Sequence, residues 1–135
     1  MKKQAEDWIL LADRDLYAAE VLLKDHFLLT NIVAFHCQQA IEKYLKAFLI
    51  ENDVPLIKTH DLIKLNGMIQ EIKDLGIDRK NLIIINEVYV ESRYPGELGL
   101  ISDGMPTNKQ AEEFIEYTKE IKAIINAELI GESVE

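Results

Sequence analysis

The chain reads as an all-α protein, an antiparallel up-and-down four-helix bundle with a short additional helix. Three observations lead there. Apolar residues recur at three- and four-residue steps through several long stretches. Leu, Ile, Ala, Glu and Lys dominate, while only 7% of residues are aromatic and six are glycine, a makeup suited to helices. The one strongly β-branched run has no second run to pair with. With 135 residues and 48% hydrophobic content, residues 1–135 form one helical domain with a moderate core.

Helix one is expected from about residue 3 to 24, with Trp8, Leu11, Ala12, Ala18, Ala19, Leu22 and Leu23 on its apolar stripe. Asp15 is a polar intruder in that stripe. Asp25-His26-Phe27 breaks the rhythm, and Thr30 or Asn31 offers an N-cap for a second helix reaching about Glu51. Asn52-Asp53-Val54-Pro55 stops it. Lys58-Thr59-His60-Asp61 then opens a third helix from Leu62 to Leu75, carried by Leu62, Leu65, Ile69 and Ile72 and closed by Gly76.

Asp78 reads as the cap of a fourth helix. Its segment from Leu82 to Val90 suits a buried strand as well as a helix, and the lack of a partner strand decides for helix. Four consecutive apolar residues at 82 to 85 sweep through most of a turn, so one core cannot take them all and self-association is expected. From Tyr94 to Pro106 the chain is a long loop, and Thr107-Asn-Lys-Gln110 is a capping box for a last helix ending near Leu129. That helix buries Ala111, Phe114, Ile115, Thr118, Ile121, Ile124 and Ile125 and turns Glu112, Glu113, Glu116 and Glu120 to water.

Twenty-four acidic against 15 basic residues give a net charge of −9, which repels polyphosphate at long range, so any nucleic-acid contact must be local. The single cysteine, Cys37, excludes an intrachain disulfide and has no metal-ligand spacing with the three histidines. The apolar run from Trp8 to Ala12 is too short for a signal or membrane segment, and a cytoplasmic location is expected. There is no glycine-rich nucleotide fingerprint, His-Glu-x-x-His site or serine elbow, so the common enzyme classes gain no support.

Chemistry is left to two segments. On the second helix Val33, Cys37, Ala40, Ile41, Tyr44 and Phe48 form a core stripe, while His36, Gln39, Lys43 and Lys46 lie within roughly 80° of one another on a neighbouring flank. Two amines, an amide and an imidazole suit an anionic ligand with base edges. The plainer account is a solvated face, with Glu42 and Lys46 at the i,i+4 spacing of a helical ion pair. The second segment is Ser92-Arg-Tyr-Pro95, where a helix ending before a proline would hold the Arg93 guanidinium in a fixed direction for bidentate phosphate binding, or for a salt bridge to Glu97. Thr59 and Asp61 around His60 are expected to cap a helix.

Trp8 with its Ala- and Leu-rich helix, Ala34-Phe-His-Cys-Gln-Gln-Ala-Ile-Glu-Lys-Tyr-Leu-Lys-Ala-Phe-Leu49, Thr59-His-Asp-Leu62 and Ser92-Arg-Tyr-Pro95, in this order, resemble the HEPN family over nearly the whole chain. The resemblance implies a four-helix bundle with a shorter extra helix, assembled as a homodimer. It also implies a minimal nucleotidyltransferase as partner in a toxin–antitoxin-like pair, and no cofactor. Some members are metal-independent ribonucleases with an Arg-x(4 to 6)-His motif, but the nine residues after Arg93, Tyr-Pro-Gly-Glu-Leu-Gly-Leu-Ile-Ser, contain no histidine. No catalytic residue is therefore assigned. The resemblance makes this chain a nucleotide- or RNA-binding component, with Arg93 and Lys43 supplying charge, Gln39 hydrogen bonds and His36 or Tyr94 a base contact, Lys46 lying on the same flank. The alternatives are a ribonuclease using His36 or His60, and a pure protein-interaction module.

Overall fold

The computed structural model describes residues 1–25, 29–93 and 105–131, with residues 25 and 88–93 described by their backbone. Five helices follow in order: α1 (Lys3–Asp25), α2 (Thr30–Glu51), α3 (Leu62–Gln70), α4 (Arg79–Arg93) and α5 (Asn108–Ile130). No strand occurs among the described residues, so the β-branched run on α4 is helical. The His26 turn and the loop from Tyr94 to residue 104 lie outside the described residues.

α2 is the central helix, packed against each of the other four. Its stripe of Val33, Cys37, Ala40, Ile41, Tyr44 and Phe48 is buried as expected, and Leu45 and Leu49 join it. Each fully buried large aliphatic side chain of this kind contributes about 1.5–3 kcal/mol of transfer free energy. α1 runs antiparallel to α2, because Asp15 meets His36 and Lys43 while the Lys2 backbone meets Glu51 at the other end. α5 runs parallel to α2, since the Thr30 hydroxyl donates to the Pro106 carbonyl (2.7 Å) where both helices begin. The Tyr117 hydroxyl donates to the Asp78 carbonyl at the start of α4 (2.7 Å).

Several local expectations need correction. The buried stripe of α1 is Ala5, Ala12, Leu16 and Ala19, and Leu11 is 41% exposed. Leu11 sits one residue, roughly 100°, off the Ala12 column, so the expected stripe mixed two columns of the helix. Neither Thr30 nor Asn31 caps α2; the cap position is Leu29, with no side-chain cap bond, and Thr30 is used for the loop before α5 instead. α3 ends at Gln70, five residues early, because the Ile72 and Lys73 amides both fold back onto the Ile69 carbonyl, leaving Ile72 43% exposed. Ile124 is half-buried.

Other signals stand as read. Asp61 caps α3 by accepting from the Ile63 and Lys64 amides, and Asp78 caps α4 through Lys80 and Asn81. The Thr107–Gln110 capping box is complete in both directions. Gly76 does not close α3, whose cap position is Glu71, but it takes φ +73°, a left-handed conformation that glycine adopts without strain, which turns the chain toward α4. Of the four apolar residues at 82 to 85, Leu82 and Ile85 are fully buried and Ile84 is 43% exposed.

Candidate functional site

The flank of α2 that carries the candidate ligand residues holds two ion clusters, one on each side of the helix. On the α1 side, Asp15 Oδ1 meets His36 Nδ1 at 2.9 Å and Asp15 Oδ2 accepts from Lys43 Nζ. The Asp15 side chain is 13% exposed, whereas His36 and Lys43 keep 25% and 22% of theirs in contact with solvent. The polar intruder in the α1 stripe is thus the anchor for two of the candidate residues. Next to this cluster, Tyr44 donates its hydroxyl to Asp13 Oδ1, which also lies 3.2 Å from Lys122 of α5. Burial, with the nearby Asp13 carboxylate adding to it, pushes the Tyr44 hydroxyl well above the usual phenol range.

On the α3 side, Glu42 is almost fully buried and its two oxygens take different partners. Lys46 Nζ donates to Oε2 at 2.8 Å, and His60 Nδ1 lies 2.9 Å from Oε1. Lys46 is 6% exposed, with its ammonium also 5.5 Å from the centre of the Trp8 ring, a cation–π contact that joins α2 to α1. The i,i+4 pair foreseen as the plainer account of this flank is therefore present, and it is a buried one. Gln38, fully buried, donates to the His60 carbonyl at 2.9 Å and fixes the chain entering α3. Gln39 Nε2 donates in turn to Gln38 Oε1 at 2.7 Å, so its amide sits on the ridge between the two clusters.

Sequence reasoning placed His36, Gln39, Lys43 and Lys46 on one flank, and the structure divides them. His36 and Lys43 converge on one carboxylate, Gln39 bridges, and Lys46 turns inward. Gln38 and Asp13 were not singled out, nor was the contact of Glu42 with His60; the signal available was a charged or amide residue next to a core stripe, which always requires a partner when buried. Arg93 is the last residue of α4, as expected from the following Tyr-Pro, and Tyr94 lies outside the described residues. α4 runs antiparallel to α5, as Asp78 meets Tyr117 while Ile84 shares a groove with Lys109 and Gln110. Its C-terminal end therefore points toward the end of the bundle where α2 and α5 begin.

His36 and His60 each present one ring nitrogen to a carboxylate, the arrangement that fixes ring orientation and leaves the second nitrogen for another partner. His60 is the more accessible, with 74% of its side chain exposed. Cys37 is buried beside Thr118, and burial pushes its thiol up to about 12, so it is no nucleophile. Among the described residues no group of three or more His, Cys, Asp or Glu side chains is placed to hold a metal ion, and no helix is long and apolar enough to cross a membrane.

The family model described as the HEPN domain matches residues 5–128. Among solved structures, the crystal structure of an archaeal HEPN homologue is 24% identical, with 96% of this chain and 99% of that one covered and a TM-score of 0.73. A crystal structure of a protein from Thermus thermophilus is 21% identical, with 95% and 100% covered and a TM-score of 0.76. At these identities the likeness is one of fold. No curated protein matches the sequence.

Proposed function

Because the chain belongs to the HEPN family, we propose that it is a nucleotide- or RNA-binding component that partners a minimal nucleotidyltransferase in a toxin–antitoxin-like pair and self-associates as a homodimer. The observation that carries the ligand reading is the convergence of His36 and Lys43 on Asp15 with both of these side chains still partly open to solvent. A fixed amine and imidazole beside the Gln39 amide offer a phosphate contact and hydrogen bonds to a base in one place. Asp15 offsets part of that positive charge, so the Arg93 guanidinium, with Tyr94 beside it in sequence, is the group that supplies the phosphate fork. Lys46 serves this site indirectly, as the buried partner of Glu42.

Calorimetric titration of ATP, GTP and a short RNA into wild type, Arg93→Ala and Lys43→Ala tests the reading. Losing one charge-assisted phosphate contact weakens binding by roughly tenfold or more. Equal affinity in all three proteins removes both residues from the site. Co-purification with the product of the neighbouring gene tests the partnership, and a neighbour that is no nucleotidyltransferase, or failure of the two to associate, ends it.

One observation favours a second reading, a metal-independent ribonuclease: His36 is oriented by Asp15 and His60 by Glu42, as a general acid or base would be. It requires RNA cleavage in EDTA that Arg93→Ala and one of His36→Ala or His60→Ala abolish. The missing histidine after Arg93 weighs against it.

A further inference from the structure

α1 carries a second stripe, on the side opposite its core face. Asp7, Leu10, Arg14, Tyr17, Val21 and Lys24 are all exposed, Leu10 at 52%, Tyr17 at 70% and Val21 at 38%. Their spacing alternates three and four residues, so they fall within roughly 100° of one another on the helix, the seam of a two-helix coiled coil. Among the described residues Arg14, Tyr17 and Lys24 have no hydrogen-bond or ion-pair partner, and Asp7 meets only Lys3 on its own helix. Isolated exposed apolar residues need no explanation, but a continuous row at coiled-coil spacing does.

The order of residues along the row identifies what covers it. When two such helices lie antiparallel about a twofold axis between residues 15 and 16, Asp7 faces Lys24 of the second copy, Leu10 faces Val21 and Arg14 faces Tyr17. Every layer then pairs complementary chemistry: an ion pair at each end, an apolar contact inside it, and a guanidinium on an aromatic ring at the centre. A twofold interface must be complementary to itself, and a row that reads as complementary halves from its two ends meets that condition. A twofold contact at the exposed Ile84 of α4 does not meet it. Ile84 opens onto a groove of about 600 Å³ whose rim carries Glu112, Glu113, Glu116 and Glu120, so a twofold contact there would set like charges against each other.

We propose that the outer face of α1 is the docking surface for a second copy of the chain, α1 against α1 in antiparallel register, with Asp7 opposite Lys24, Leu10 opposite Val21 and Arg14 opposite Tyr17. This rests on the self-association in the reading above and gives it a surface; nucleotide binding is independent of it. The fourth helix, which the sequence alone suggested for that purpose, keeps two of its four consecutive apolar residues wholly in the core.

Light scattering and sedimentation at micromolar concentration read the assembly. Wild type runs as a dimer and Tyr17→Glu as a folded monomer. Asp7→Lys sets like charges together at both ends of the interface and weakens the dimer by roughly tenfold or more, and adding Lys24→Asp to it restores the affinity. A stability effect confined to one helix would not be rescued by that second change. Register is read by cross-linking with a short bis-maleimide: Leu10→Cys mixed with Val21→Cys gives covalent dimers, while each variant alone does not, and buried Cys37 contributes no background. A dimer that persists in Tyr17→Glu overturns the surface and leaves self-association standing. A monomeric wild type overturns both. Cross-linking of Leu10→Cys to itself overturns the register and with it the charge pairing.

Discussion

Glu42→Gln is the sharpest test of how α2 is held. The substitution keeps the size and planarity of the side chain and removes its charge, leaving the Lys46 ammonium, 6% exposed, with an amide and the Trp8 face for partners. Breaking a buried ion pair from one side costs about 3–5 kcal/mol, because the remaining charge stays desolvated. The exposed His60 contact adds little, as exposed pairs are worth about 0–1 kcal/mol. For 135 residues, unfolding entropy near the midpoint is about 0.28 kcal/mol/K, so the loss lowers Tm by about 10–18 °C. If Lys46 escapes by extending its stem to solvent, the shift falls toward the lower figure. Thermal unfolding followed by circular dichroism reads it directly. The double variant Glu42→Gln, Lys46→Met recovers most of the loss, since no buried charge remains. A single-variant shift under about 3 °C, which corresponds to less than about 1 kcal/mol, would refute the claim that this pair behaves as a buried one.

Three further outcomes follow from the same geometry. Burial raises the Cys37 thiol to about 12 and pushes the Tyr44 and Tyr117 hydroxyls above their ordinary range, so the unfolded chain releases these protons first. Their contribution to folding stability falls above about pH 9 for the thiol and above about pH 10 for the two hydroxyls, by about 1.4 kcal/mol per pH unit for each group; urea midpoints equal at pH 8 and pH 10.5 would contradict this. Thr107→Ala removes the hydroxyl that accepts from the Gln110 amide and costs about 1 kcal/mol in urea unfolding, and no change would mean that the capping box is idle. Gly76→Ala meets nothing within 4 Å, so any penalty comes from φ +73° alone, about 1–2 kcal/mol, and a stabilised variant would show that the turn relaxes.

The helices were legible because each carries its own period and its own stop. Asp61, Asp78, Thr107 and Gly76 act locally, within a few residues of the amide or the turn they serve, and local chemistry is visible in a string. Leu11 and Ile72 were misplaced because burial depends on which neighbouring column a partner helix covers, and a helical wheel does not contain the partner. For the same reason the ligand flank was drawn as one patch. Lys43 and Lys46 lie three residues apart, yet Asp15 is 28 residues from the first, and Glu42, which holds the second, is tied to His60 in the connection before α3. Only the packing of α1 and α3 on either side of α2 separates them.

That division bears on how an acidic protein could hold an anion. Each lysine on the α2 flank is matched by a carboxylate, Asp15 for Lys43 and Glu42 for Lys46, so the flank has no large excess of positive charge. A phosphate approaching Lys43 must offset the attraction of Asp15, which is fixed by two partners. A surface of this kind selects by hydrogen-bond geometry more than by long-range attraction, and its affinity should depend only weakly on salt unless Arg93 engages the phosphate. The salt dependence of ligand binding in wild type and in Arg93→Ala therefore separates the two contributions. A steep slope that disappears with the guanidinium assigns the charge to α4, and a slope unchanged by Arg93→Ala assigns it to the Lys43 side of the helix.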